Sequence, residues 1–290
     1  MKKITNITLA IMLLIAFIPS ISNAQLKLPQ ASPKAFVNQS VGMSDISIDY
    51  HRPSVKGRAI WGSLVPYDSV WRTGANEASV ISFSDDVKIE GKDLKAGKYA
   101  FFTIPGKSEW TLIFNKKKDL WGAYGYDKAD DILRIKVKAA SFNMNESMEF
   151  FFSDVTVNSV VVNLVWEKVR VSFNVTIDTD SKAMTAIKDS LTASPEKASL
   201  YRQAASYTVT SGLHLDKGLE WANKAISLKT DFRGYWTKAQ VLAKFGNYNE
   251  AIIAATKAEE LGKDDKDFAE MKPNVDKSIA EYKTKAGAKK

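Results

Sequence analysis

Residues 160–177, VVVNLVWEKVRVSFNVTI, followed at once by Asp178-Thr179-Asp180-Ser181, decide how the chain is built. Val160, Val162, Leu164 and Trp166 form one apolar row, and after Glu167-Lys168 a second row runs through Val169, Val171, Phe173, Val175 and Ile177. Successive side chains of a strand point to opposite faces, so each row predicts a half-buried strand, and Glu167-Lys168 reads as a tight turn joining them. Arg170, Ser172, Asn174 and Thr176 then face away from the core. Past Ile177 the period becomes that of helices, β-branched residues thin out, and Asp178 or Ser181 is placed to cap free amides. The chain therefore divides at this point, with a sheet domain over 25–177 and a helical domain over 178–290.

Upstream, Ile46, Ile48 and Tyr50 alternate with Asp45, Ser47, Asp49 and His51, which predicts an amphipathic strand from Met43 onward. Val80–Phe83 and Val87–Ile89 read as short strands, and Gly91–Gly97 as turn residues. Lys98–Ile104, stopped by Pro105-Gly106, is expected to pair with Trp110–Phe114 as a hairpin. Arg134–Ala139 and Met148–Val155 complete a set of about nine short strands with no helix-period stretch between them, the pattern of an antiparallel β-sandwich. The fold class is α+β in two domains.

In the helical half, Gly218-Leu219 and Ala225-Ile226-Ser227-Leu228 recur 33 residues later as Ala251-Ile252 and Ala258-Glu259-Glu260-Leu261. With Gly246, Tyr248 and the small residue Ala251 at helix-contact spacing, and Tyr235 and Ala239 in the preceding helix, residues 196–261 resemble the tetratricopeptide repeat, whose period is 34. Lys238 and Ala255 depart from that pattern. Two copies are fewer than the three or so that stand alone, so helices near Lys182–Leu191 and Phe268–Lys285 are expected to cap them. The resemblance implies a concave surface for a protein partner.

Lys2-Lys3, the apolar run Leu9–Ile18 and the small residues Ser22-Asn23-Ala24 form the three parts of a secretory signal peptide over 1–24. The run is shorter than the ~18 residues of a membrane span and is followed by Pro19, so no span is expected after cleavage. Export points to a periplasmic or secreted protein. The absence of cysteine removes disulfides, thiolate metal sites and cysteine nucleophiles. The net charge of +8 is spread over both halves with no basic block, which argues against nucleic acid.

Candidate chemistry gathers in Trp71-Arg72-Thr73-Gly74-Ala75-Asn76-Glu77 and its approach, where Arg52, Arg58 and Arg72 alternate with Trp61, Tyr67 and Trp71. Guanidinium forks suit carboxylate, phosphate or sulfate, so Arg52, Arg58, Trp71, Arg72, Asn76 and Glu77 are the ligand-binding candidates. The competing reading pairs Arg72 with Glu77, or with backbone carbonyls, to pin a long loop. Glu77, with His51 as a partner, is placed for acid or base work, which leaves a glycan or ester hydrolase open. Trp121-Gly122-Ala123-Tyr124-Gly125-Tyr126-Asp127 is a second aromatic loop, suited to stacking on a sugar or to filling the open end of a core. Two histidines cannot build a histidine-rich zinc site, and the adjacent pairs Asp85-Asp86 and Asp130-Asp131 read as solvated turns, so no metal is assigned. No Gly-rich phosphate loop or nucleophile elbow is present, and no cofactor is expected.

Arg52-Pro53, Lys56-Gly57-Arg58, Pro66-Tyr67, the string Trp71–Ala78, Leu94–Tyr99, Trp110, Asn115, Trp121-Gly122 and Tyr126 together resemble the secreted bacterial family known as domain of unknown function 2911. The resemblance covers Pro33–Thr176, with Asp68 and Ser79 as departures where glycine and threonine are expected. It implies a β-rich exported domain, often joined to helical repeats, and no activity. The residues themselves favour a non-catalytic envelope protein that binds a small or glycan-like, anionic ligand through the Arg72 loop and docks a protein through residues 196–261. The hydrolase and a purely structural scaffold are the alternatives.

Overall fold

A computed structural model describes residues 28–288 of the 290; the signal-peptide reading of residues 1–24 lies outside them. Among the described residues nine strands, with one 3-10 turn at Lys128–Asp130, precede six α-helices. The strands are β1 (Lys34–Val41), β2 (Ser44–His51), β3 (Ser79–Phe83), β4 (Val87–Ile89), β5 (Lys92–Leu94), β6 (Gly97–Ile104), β7 (Glu109–Asn115), β8 (Asp131–Ser153) and β9 (Ser159–Ile177). The helices are α1 (Thr179–Ala193), α2 (Ala198–Ser211), α3 (Leu215–Leu228), α4 (Phe232–Phe245), α5 (Tyr248–Gly262) and α6 (Lys266–Gly287). The α+β arrangement follows from that order. Two compact units result, one of residues 28–39, 45–155 and 159–176, the other of 177–288 with the short segments 40–44 and 156–158.

The strands form one continuous antiparallel sheet in the order β1-β2-β3-β6-β7-β8-β9-β4-β5. β8 is the pivot: its first part, Asp131–Lys138, pairs with β7, and Ala139–Ser153 pairs with β9. Register shifts between Ser141 and Asn145 and between Asn145 and Glu149 bend the long strand, as bulges do. The core closes where Phe101 of β6 meets Phe150 of β8 and Phe173 of β9, with ring centroids 6.0 and 5.7 Å apart, and where Phe114 of β7 also meets Phe173. Beside it, Trp61, Trp71, Trp110 and Trp166 pack on one another, with Trp71 stacked on Trp166 at 5.8 Å.

Several strand expectations need correction. Residues 160–177 are one strand and not a hairpin: Val161–Val165 pair with Glu149–Ser153, and Val169–Val171 with Ala139–Ser141. The apolar row changes from even to odd numbers at Glu167, and a single left-handed residue there (φ 54°) makes that change without reversing the chain. Val160, Val162, Leu164 and Trp166, and then Val171, Phe173, Val175 and Ile177, are all buried. The segments Arg134–Ala139 and Met148–Ser153 belong to the single strand β8, which stops two residues short of the expected Val155, and β1 and the short β5 lie where no strand was expected. The β6–β7 hairpin pairs Ala100 with Asn115 through Ile104 with Thr111.

In the helical unit, aspartates start helices by accepting backbone amides: Asp178 from Ser181, Asp231 from Gly234 and Asp265 from Asp267. Gly212 and Gly246 end α2 and α4 in the left-handed conformation. The 33-residue echo has a packing cause. Gly218 of α3 and Ala251 of α5 are both buried at helix contacts, and a Cβ on Gly218 would come within 2.0 Å of Thr208 Oγ1. Thr208 is fully buried and its hydroxyl donates to Ala205 O at 2.8 Å, so it has nowhere to turn. Gly218→Ala therefore lowers the stability of the helical unit by about 1 to 3 kcal/mol, the usual range for overpacking. Urea unfolding followed by circular dichroism reads this, and an unchanged midpoint would show that the helices are not in contact there.

Candidate functional site

The long connection from β2 to β3 carries all six expected residues. Arg52 leaves β2 with its Nε donating to Met148 O at 2.9 Å and a terminal nitrogen 3.5 Å from the Glu149 carboxylate. Arg58 folds back on its own turn, donating to Val55 O at 3.0 Å and Ser54 O at 2.6 Å. Both are thus occupied as loop fasteners. Trp71 then meets Thr103 of β6 in a two-bond bridge, with N–H to carbonyl distances of 2.8 and 2.9 Å. Its indole is in the tryptophan cluster and donates to Gly74 O at 3.2 Å.

Thr73, fully buried and left-handed at φ 56°, shares a hydroxyl bond of 3.1 Å with Thr103 and accepts the Ser79 hydroxyl on its carbonyl at 2.6 Å. Asn76, also left-handed at φ 58°, donates to Gln30 Oε1 and Ser32 O, and its carbonyl accepts the Gly122 amide. Two residues of positive φ so close together separate Arg72 from Glu77. The Arg72–Glu77 pair of the competing reading does not form: Glu77 Oε2 lies 3.4 Å from His51 Nδ1, and among the described residues Arg72 has no carboxylate within 4.0 Å.

Glu77 opens onto a cleft of about 830 Å³. Tyr50, His51, Ala78 and Val80 line it from the sheet, and Leu120 and Trp121 from the aromatic loop. Glu77 is bridged to Trp121, and the Ala78 amide donates to Leu120 O at 3.0 Å, so the loop is tied directly to the end of the motif. Lys34 and Asp49, paired at 3.0 Å, and Lys118 and Asp119 supply the charges at its margin. Of the six candidates, only Glu77 lines the cleft. Lys34 carries no signal in the sequence because β1, half-exposed along its length, lacks a clear apolar alternation, whereas Trp121 belongs to the aromatic run 121–127.

The aromatic loop stands on a buried carboxylate. Asp131, at the start of β8, accepts Asn115 Nδ2 at 2.8 Å, Tyr126 OH at 2.7 Å and an Arg134 nitrogen at 2.9 Å. Burial first, and the Asp131 bond second, push the Tyr126 phenol up to about 12, so it stays a donor at neutral pH. Beneath the loop, Leu120, Ala123 and Tyr126 pack on Ala78, Ala100, Phe102 and Ile113. Trp121 is left 60% exposed at the rim. Asp131 is therefore a buried anchor and not a solvated turn, whereas Asp130 pairs with Lys116 and Lys117 at the surface.

Residues 32–175 match the family model described as protein of unknown function (DUF2911), almost the same span as the motifs above. No curated protein matches the chain.

Burial pushes the His51 imidazole below its ordinary value of 6.5, while the Glu77 carboxylate pulls it up, Lys34 pushes it down and Asp49 pulls it up. Glu77→Gln removes the strongest opposing charge, so His51 titrates at still lower pH, measured from its imidazole nitrogen shifts; an unmoved or raised midpoint would contradict the contact. Because the unfolded chain takes up this proton more readily, the contribution of His51 to stability is intact above pH 6.5 and declines as pH falls through the folded value. Denaturation at graded pH shows that decline in the wild type, and His51→Asn loses it.

Proposed function

We propose, with residues 32–175 as a domain of that family, that the β-rich unit is a non-catalytic binding module for a glycan-like ligand held in the His51–Glu77–Trp121 cleft. The observation that carries this reading is a cleft lined by both an exposed indole, Trp121, and a carboxylate, Glu77, on bridged residues. A sugar ring has an apolar C–H face, which stacks on an aromatic ring, and hydroxyls, which donate to carboxylates; the cleft offers both at once. Its volume of about 830 Å³ is in the range of small-molecule sites. Lys34 and Lys118 stand against Asp49, Glu77 and Asp119, so the cleft itself does not select an anion.

The His51–Glu77 pair favours one second reading, a hydrolase in which Glu77 moves a proton and His51 holds it. The Glu77 side chain is 54% exposed and so lacks the enclosed setting that tunes a catalytic acid, which supports this less well than binding. The helical unit is proposed to dock a protein through residues 196–261, in the manner of tetratricopeptide repeats. A hollow of about 530 Å³ lined by Tyr235, Leu242, Ile253 and Ala254 supports that role. Export to the periplasm or beyond is part of the same proposal. It rests on the residue pattern of 1–24, and among the described residues no helix is long and apolar enough to cross a membrane.

A panel of oligosaccharides titrated into the protein, followed by tryptophan fluorescence and calorimetry, tests the module. Trp121→Ala weakens binding of whichever glycan is found at least about tenfold, a loss of 1.4 kcal/mol, and leaves the melting temperature in place because Trp121 is outside the core. Binding that survives both Trp121→Ala and Glu77→Ala at full affinity would remove the cleft from the account. Turnover lost in Glu77→Gln with binding retained would replace the module with the hydrolase.

A further inference from the structure

The cleft leaves Arg72 unexplained. Its guanidinium carries five donors and keeps its charge at neutral pH. The side chain is half-buried, its Nε is shut off from solvent, and that N–H donates to nothing. Arg52 and Arg134 each reach a carboxylate, and Arg58 two carbonyls. Arg170 also has an unmet Nε, but its guanidinium rests over the Phe142 ring at 5.6 Å. Among the described residues Arg72 has neither kind of partner. Burial draws it below the ordinary guanidinium value, and the ionisable neighbour that opposes this is the Tyr124 phenol and not a carboxylate.

A desolvated cation with no counter-charge is costly, and it persists here because the backbone leaves it no choice. Trp71 is bonded at both its N–H and its carbonyl to Thr103, and the Arg72 carbonyl accepts the Ser79 amide at 3.2 Å. The backbone from which the side chain springs is thereby fixed before any ligand arrives, which lowers part of the entropic cost of binding. Tyr124, 81% exposed, sits on a turn whose flanking glycines, Gly122 and Gly125, are left-handed at φ 68° and 76°.

We infer that Arg72 is the binding group of an anion site separate from the cleft, taking one carboxylate or phosphate-type oxyanion on the terminal N–H groups of its half-buried guanidinium, with the buried Nε–H behind them. The planar fork suits both anions equally. Two sources fit that chemistry: a free oxyanion, or the acid group of a sugar whose ring is held by Trp121 on the same loop. The first source is independent of the proposed module. The second rests on it.

The Arg72 Nε–Hε resonance reports directly on this group. It is assigned through the arginine side chain and confirmed by its loss in Arg72→Lys, and then followed while inorganic phosphate, galacturonate and galactose are titrated into the full chain. The expected result is a saturable shift with a Kd of about 1 mM or tighter, the regime of one charge-assisted contact, for phosphate or galacturonate and none for galactose. A response to phosphate assigns a free oxyanion; a response to galacturonate alone assigns a sugar acid. A resonance that stays still with both anions, or that moves as far with galactose as with galacturonate, overturns the site. Silence at Arg72 together with a Trp121-dependent glycan would leave the cleft standing, so the two failures are distinct.

Discussion

The two-bond bridge between Trp71 and Thr103 is the constraint on which the candidate region depends. It joins the long β2–β3 connection to the centre of the sheet, and three side-chain bonds lock it: Thr73 to Thr103, Ser79 to the Thr73 carbonyl, and the Trp71 indole to Gly74. All of these groups are buried, so each bond also spares a polar atom the cost of being left unpaired, about 1 to 3 kcal/mol. The indole adds its contact with Trp166, which belongs to β9. One short string of sequence thereby ties the loop, β6 and β9 together.

Once that string is fixed, its polar residues have little freedom. The left-handed turns at Thr73 and Asn76 send Arg72 and Glu77 to different surroundings, so a motif that reads as one cluster serves two environments. Glu77 emerges beside His51 and opposite Trp121. Arg72 is left in a poorly solvated position with its charge unmet. The aromatic loop is held by the opposite strategy, a buried Asp131 saturated by Arg134, Tyr126 and Asn115. Removing one partner from such a charge is expensive, about 3 to 5 kcal/mol, which makes the loop a firm wall to the cleft.

Much of this was legible in the sequence, and the failures have physical causes. The amphipathic alternation of Ile46, Ile48 and Tyr50 and the punctuation of Pro105-Gly106 identify β2 and the β6–β7 hairpin because local pattern and tertiary environment agree there. The Asp178 cap marks the start of the helices for the same reason. At Glu167-Lys168 the parity of the apolar row changes, and a turn and a bulge produce the same change in one dimension; only pairing with β8 separates them. Arg72 and Glu77 are five positions apart and of opposite charge, which suggests a pair, yet the backbone signs of φ at Thr73 and Asn76 are not written in residue types that demand them. The His51–Glu77 contact, by contrast, is the pairing that the residue types already suggest for acid or base work, although 26 positions separate the two and only the fold brings them together.

Native-state hydrogen exchange, resolved amide by amide, tests the central claim most directly. If the Trp71–Thr103 bridge is the fastening, the amides of Trp71, Thr103 and Ser79 exchange only when the β unit unfolds as a whole, while those of Ala78 and Gly122, where the aromatic loop joins, exchange through smaller openings. Trp71 and Thr103 exchanging as readily as Gly122 would contradict the account, since the motif would then be a loose loop with no part of it fixed.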